Sequence, residues 1–120
     1  MTEPAADPDC LFCRIVAHEV PSTVVAETSY SLAFRDISPA APTHVLVIPK
    51  AHYADAVLLA TASPEGFADL MVTADAVALE EGLSERGYRV VVNTGRDAGQ
   101  TVFHAHAHVL GGRDLRWPPG

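Results

Sequence analysis

Three histidines alternate with two alanines in His104-Ala-His-Ala-His108, and a period of two admits few backbone solutions. On a strand all three imidazoles point to one face, about 6.5–7 Å apart from two rises of roughly 3.3 Å. A helix would scatter them, and the flanking Val102, Phe103, Val109 and Leu110 favour a strand over residues 102–110. Ala105 and Ala107 then face the other way, small enough for another element to pack closely. Aligning three polar rings on an otherwise apolar strand sacrifices core packing and demands a partner for every nitrogen. Hydrogen-bonded histidines without chemistry are therefore the weakest reading. A metal site needs strong strand twist, or fewer than three of the rings. Group transfer at phosphorus fits the row and its neighbouring glycine-bearing loop better: one imidazole attacks, its neighbours hold or donate protons, and loop N–H groups bind phosphoryl oxygens.

The rest of the chain supplies a sheet for that strand. Residues 23–27 and 31–35 read as a hairpin, and Thr43-His-Val-Leu-Val-Ile-Pro49 as a central strand. Residues 88–93 are a further strand, followed by a loop over 94–100. A short helix is expected over 11–17. The longer one starts at Ser63-Pro64-Glu65, which supplies an N-cap, a proline at the first helical position and an acid at the positive end of the helix dipole. Phe67, Leu70, Met71, Ala74, Val77 and Ala78 follow as one apolar stripe. Residues 1–9, with two prolines and three acids, read as a flexible tail, and 10–120 as one domain. The string predicts an α+β fold with a largely antiparallel sheet.

Charge narrows the partners. Eight Lys+Arg against fifteen Asp+Glu give −7 over 120 residues, which argues against nucleic acid or any long polyanion held on a broad basic face. A single phosphate held at close range remains compatible. No apolar run approaches the roughly 20 residues of a membrane span, and the N-terminus lacks a secretory pattern. The cytoplasm, where thiols stay reduced, is the expected compartment.

His-Ala-His-Ala-His-Val-Leu resembles the signature of the histidine-triad superfamily, and Gly111-Gly-Arg-Asp-Leu-Arg-Trp-Pro-Pro-Gly120 resembles its Hint branch. The resemblance extends through Cys10-Leu-Phe-Cys13, Phe34-Arg-Asp-Ile-Ser-Pro39, Ala41-Pro-Thr-His-Val-Leu-Val-Ile-Pro-Lys50 and Tyr88-Arg-Val-Val-Val-Asn93. It implies a five-stranded, mainly antiparallel sheet with one long and one short helix, extended across a homodimer. It also implies hydrolysis of purine nucleoside phosphoramidates through a nucleotidyl-histidine intermediate. On this likeness His106 is the nucleophile, His104 the leading proton donor, His108 a phosphoryl-oxygen contact and His44 an orienting partner. Imidazole suits the first task because a useful neutral fraction exists near neutral pH. Asp36 resembles the ribose contact, a carboxylate with two acceptor oxygens. Phe12, Phe34 and Ile37 would line the base pocket, and Asn93, Gly99 and Thr101 would contact phosphate or leaving group. Thr101 stands where the branch more usually has serine, and its methyl stiffens the rotamer. Trp117 would reach the partner's site.

Cys10-x-x-Cys13 alone is ambiguous between half a zinc site, a redox pair and two buried thiols. Some histidine-triad proteins bind zinc with such a pair and two histidines, and the matching positions here hold Cys10, Cys13, His52 and His104, a set suited to tetrahedral zinc. A zinc-bound His104 could not protonate a leaving group. His18 reads as an exposed helix-end histidine. Two other readings stand beside phosphoramidate hydrolysis: dinucleoside polyphosphate hydrolysis, as in the sister Fhit branch, and a zinc-stabilised nucleotide-binding or interaction module.

Overall fold

A computed structural model describes residues 5–120. The tail expected over 1–9 lies outside the described residues as far as residue 4. Residues 7–10 form a turn closed by the Cys10 N–H donating to the Asp7 carbonyl at 3.0 Å.

Five strands form one antiparallel sheet: β1 (Val24–Glu27), β2 (Ser31–Arg35), β3 (Thr43–Pro49), β4 (Arg89–Val91) and β5 (Ala107–Gly111), in the spatial order β1-β2-β3-β5-β4. The aliphatic run of β3 is buried at every position. It takes the centre, between β2 and β5. Its alternation divides the core. Val45 and Val47 join Ala33, Ala105, Ala107 and Val109 beneath the long helix, while Leu46 and Ile48 join Cys10, Phe12, Cys13, Ile15, Leu32 and Phe34 on the opposite face. Ala105 and Ala107 are buried in the helix-side cluster, so the histidines that alternate with them take the opposite face.

Helix α1 (Leu11–Val16) is capped by its own cysteine: Cys10 Sγ accepts from the Cys13 N–H at 3.3 Å. The long helix α3 (Pro64–Glu80) begins as its sequence predicts, with Ser63 Oγ accepting from the Gly66 N–H. Asp69 ties α3 to the β1–β2 turn by accepting from the hydroxyls of Thr28 at 2.6 Å and Ser31 at 2.7 Å.

Three expectations are corrected. A second short helix, α2 (Ala56–Ala62), precedes α3, capped by Asp55 accepting from the Leu58 N–H at 2.9 Å. The histidine-bearing strand starts at Ala107 instead of residue 102. Its partner explains this: Val47 pairs with Ala107, and further along β3 stands Pro49, which has no N–H to offer a ladder. The incoming chain bends instead, and Ala105 donates its N–H to the Tyr53 carbonyl at 2.7 Å. Strand β4 is likewise three residues where 88–93 was expected, because its pairing with β5 runs out at Val91 opposite His108.

Candidate active site and metal cluster

The face of the sheet under α1 collects His44, His104, His106 and His108. His44 lies on β3, and His108 pairs across from Leu46. His104 and His106 sit just before β5, yet the chain stays extended enough for the period of two to hold. Phe12 of α1 stands edge-on to both, with ring centroids 5.9 Å from His104 and 5.2 Å from His106. His106 and His108 are neighbours at 5.1 Å.

Hydrogen-bond partners assign the tautomers, because a carbonyl only accepts and a backbone N–H only donates. His106 Nδ1 lies 2.8 Å from the His104 carbonyl oxygen. It therefore carries the proton, and Nε2 is left as the bare, nucleophilic nitrogen. His44 Nδ1 accepts from the Ala40 N–H at 2.9 Å, which puts the His44 proton on Nε2, 2.9 Å from His108 Nδ1 and 3.4 Å from Asp36 Oδ2. His108 Nδ1 then accepts, and its own proton sits on Nε2. The group thus offers one bare ring nitrogen beside one N–H donor.

His104 takes a different role from its neighbours. It is 0% exposed. Its Nε2 donates to the Pro49 carbonyl at 2.8 Å, so Nδ1 is bare and faces Cys10 Sγ at 3.4 Å, Cys13 Sγ at 3.5 Å and His52 Nδ1 at 3.2 Å. Cys13 Sγ lies 3.2 Å from His52 Nδ1. A tetrahedral zinc with metal–sulfur bonds of about 2.3 Å and metal–nitrogen bonds of about 2.0–2.1 Å has ligand-to-ligand edges of roughly 3.3–3.8 Å. The observed spacings match within a few tenths of an ångström, and the Pro49 carbonyl fixes the ligating tautomer from outside, as metal-binding histidines require. These four residues can hold a metal. Nε2 is thus taken by Pro49 and Nδ1 faces the two thiols and His52, an arrangement that suits metal binding better than the proton donation expected of His104.

Burial pushes the pKa of His104 down to about 4, against the opposing pull of its bond to Pro49. Burial also takes His108 down to about 4, helped by the neighbouring His106 and His44 and opposed by Asp36. In the unfolded chain both rings bind a proton near the ordinary imidazole value of 6.5. Between 6.5 and about 4 the unfolded state therefore holds more protons, so stability is full above 6.5, falls as pH drops through this window and levels off below it. At about 1.4 kcal/mol per pKa unit, His104 withdraws about 3 kcal/mol, and the more open His108 less because solvent screens it. Urea unfolding of metal-free protein is expected to show this loss between about pH 7 and about pH 4.5. An unchanged midpoint would contradict the burial of these rings.

Other expected contacts are placed as follows. Phe12 and Phe34 are buried, edge to face at 5.7 Å, as the floor of the region. Ile37 is 99% exposed and stands outside that floor. Asp36 is partly buried, its Oδ1 accepting from the Ser38 N–H at 2.8 Å. Gly99, with φ of +93°, lies beside Asn93: a Cβ there would come 3.9 Å from Asn93 Nδ2. Its N–H donates to the Arg96 carbonyl, and the Gln100 N–H to the Gly95 carbonyl. Both of these loop amides are taken up by bonds within the turn that surrounds the 3-10 helix at Arg96–Ala98. Thr101 is exposed, and Trp117 is 83% exposed on the C-terminal tail.

Sequence reasoning passed over Gln100. This buried side chain donates to the carbonyls of Ala54 and Val102 and accepts from the Gly95 N–H, holding the loop against the histidine segment. A single amide side chain between glycine and threonine carries no periodic signal that could have marked it.

Residues 17–115 match the model of the HIT domain. The chain belongs to the HIT family. Among its HIT relatives, the 14 kDa zinc-binding protein of Zea mays is 47% identical over 118 residues, covering 95% of this chain and 90% of that one. The Arabidopsis thaliana protein named adenylylsulfatase HINT1 is 44% identical over 119 residues, covering 96% of this chain and 79% of its own. The crystal structure of a HIT family hydrolase from Legionella pneumophila Philadelphia 1 superposes with a TM-score of 0.89 at 50% identity, covering 93% of this chain and all of the other. No helix among the described residues of this HIT protein is long and apolar enough to cross a membrane.

Proposed function

We propose that this chain hydrolyses purine nucleoside phosphoramidates through a nucleotidyl-histidine intermediate on His106. The observation that carries the reading is the 2.8 Å approach of His106 Nδ1 to the His104 carbonyl, which leaves Nε2 bare and able to attack. Nε2 forms a bond to the α-phosphorus, the phosphorus–nitrogen bond breaks, and the amine departs with a proton taken from the solvent-open side, where Thr101 lies. The developing charge on phosphoryl oxygen is met by the Nε2–H of neutral His108, oriented through His44. The imidazolium formed on His106 keeps its Nδ1–H on the His104 carbonyl. Water then attacks phosphorus and releases a proton to solvent, the bond to Nε2 breaks to return neutral His106, and the nucleoside monophosphate leaves. Asp36 receives the ribose hydroxyls, and the base lies over Phe12 and Phe34 with Ile37 at the rim. Asn93, Gly99 and Thr101 flank the leaving group.

The second part of the reading is a structural zinc held by Cys10, Cys13, His52 and His104. Its support is the tetrahedral spacing and the bare Nδ1 of His104, together with the name of the maize relative. When bound, the metal supplies a crosslink between α1, the segment after β3 and the start of the triad. A reducing compartment such as the cytoplasm keeps both thiols free to bind it. A homodimer completes the picture. Ala68, Val72, Ala76 and Leu79 make an exposed apolar stripe on α3, β4 is one of the two edge strands of the sheet, and Trp117 stands out on the tail, poised to meet a second copy.

One observation favours a second substrate class. With His104 unavailable as an acid, a leaving group that needs no proton suits the site, and one relative is named an adenylylsulfatase. Initial rates on adenosine 5′-phosphoramidate, adenosine 5′-phosphosulfate and diadenosine polyphosphate separate the readings, with light scattering on the same preparation. We expect kcat/KM on the phosphoramidate to exceed that on the dinucleotide by at least about tenfold, or 1.4 kcal/mol in the barrier, from a protein of two chains. The reverse ranking would favour the Fhit-like reading, and a mass of one chain would remove the dimer.

A further inference from the structure

The Gly111-Gly112-Arg113 turn does more than end the last strand. Gly111 pairs with Thr43 at the start of β3. A Cβ on Gly111 would meet Leu83 Cδ1 at 2.6 Å, and one on Gly112, whose φ is +92°, would meet Pro42 Cβ at 2.8 Å. Only a chain without side chains at these two positions can cross so close to Leu83 and Pro42. The crossing brings Arg113 beside the loop between β2 and β3, where its Nη2 donates to the Ala40 carbonyl at 3.0 Å while Nη1 donates to the Asp114 carbonyl at 2.9 Å.

Ala40 has a second bond, on the other end of its residue: its N–H donates to His44 Nδ1. This bond decides the direction of the chain that follows. With Ala40 in place, the His44 proton is on Nε2, and His108 presents its own Nε2–H outward. If Ala40 swings away, His44 can carry its proton on Nδ1 instead. His44 Nε2 then accepts from His108 Nδ1, and His108 turns a lone pair toward the position of the phosphoryl oxygen. Asp36 Oδ2, 3.4 Å from His44 Nε2, also favours the first arrangement, but the loop that carries Ala40 holds two prolines and is largely exposed. Arg113 is a side-chain tether from outside that loop.

We propose that Arg113 is a positioning residue: by holding the Ala40 carbonyl, it keeps the Ala40 N–H on His44 and so sets the tautomers of His44 and His108. It touches no substrate. The proposal rests on the role given to His108 above for its effect on rate, but not for its effect on the rings, which is readable without substrate.

The test is the ring nitrogen spectrum of histidine-labelled protein at a pH where the rings are neutral, with Arg113→Met, Arg113→Lys and Arg86→Met compared with wild type. Arg113 is exposed, so both replacements should fold, and Arg113→Lys keeps one donor. Wild type is expected to show protons on His44 Nε2 and His108 Nε2. Arg113→Met should populate the reversed pair and speed exchange of the Ala40 amide. Its kcat should fall about three- to tenfold with KM nearly unchanged, a modest part of the roughly 10²-fold or more that a well-placed donor contributes. Arg113→Lys should recover much of the spectrum and rate, and Arg86→Met should match wild type. Wild-type rings as drawn, with an unchanged spectrum and kcat in Arg113→Met, overturn this inference alone. Wild-type rings in the reversed arrangement overturn both this inference and the donor role of His108.

Discussion

His106→Ala is expected to lower kcat on adenosine 5′-phosphoramidate by at least about 10³-fold, since removing the nucleophile of a site that works as a unit forfeits nearly all of its chemistry. The expectation follows from the Nδ1–H bond to the His104 carbonyl. That bond makes Nε2 the one ring nitrogen of His106 able to attack. The change removes one hydrogen bond, worth about 1 kcal/mol, and the ring's packing against Phe12 and His108. It leaves the Phe12–Phe34 contact and the rest of the core in place, so the variant should still fold. Nucleotide affinity should change little, since the proposed base and ribose contacts lie elsewhere. A variant that binds nucleotide as wild type does and still turns over at a comparable rate would contradict the mechanism. His106→Gln, closer in size, separates loss of chemistry from loss of packing.

The second large effect concerns the Cys10, Cys13, His52 and His104 cluster. Purified protein is expected to carry about one zinc per chain, and stripping it should lower Tm by about 10 °C or more. This corresponds to about 3 kcal/mol in a domain of this size, well within what structural zinc contributes to small folds. Without metal, burial pushes the Cys13 thiol up, away from the thiolate that a metal needs, and the neighbouring Cys10 adds to the shift. Cys10→Ser makes a sharp probe. Serine keeps an oxygen that can cap α1, so the cap survives while the ligand is lost. This variant should start at the Tm of stripped wild type and fall no further with chelator. A Tm indifferent to chelation, with no metal in the protein, would overturn the zinc reading and leave the four residues as a hydrogen-bonded cluster.

How far the sequence carried depended on whether a signal was local. Strand β3 could be read residue for residue, because a continuous aliphatic run ending in proline has few alternatives. The Ser63-Pro64 start of α3 was equally plain. Helix α2 was hidden: Ala-Val-Leu-Leu-Ala-Thr-Ala is too short and too uniformly apolar for periodicity to separate helix from strand. Its Asp55 cap was the one available mark. The start of β5 depended on a partner, since Pro49 on a different strand ends the ladder.

The site divides in the same way. The shared face of the triad followed from the period of two. The Cys10, Cys13, His52 and His104 set was nameable by its positions, but which way the His104 nitrogens face was not, because the contact that orients the ring is the carbonyl of Pro49, distant in sequence. The tautomers of His44 and His108 depend on the backbone of Ala40, and no pattern of side chains encodes that. Phe12 and Ile37 looked alike as apolar pocket candidates. Packing separates them, with Phe12 buried against His106 and Ile37 turned outward.

The central claim is that His106 Nε2 becomes covalently bonded to phosphorus. Mixing enzyme with adenosine 5′-phosphoramidate, quenching within a turnover and mapping the peptides by mass tests it directly. The prediction is one adenylyl group on the peptide containing residues 104–108, attached at His106, stable in base and lost in acid, and absent from His106→Ala. Rapid turnover with no adenylyl group trapped, together with inversion at phosphorus in a stereochemically labelled substrate, would mean direct attack by water and would contradict the account.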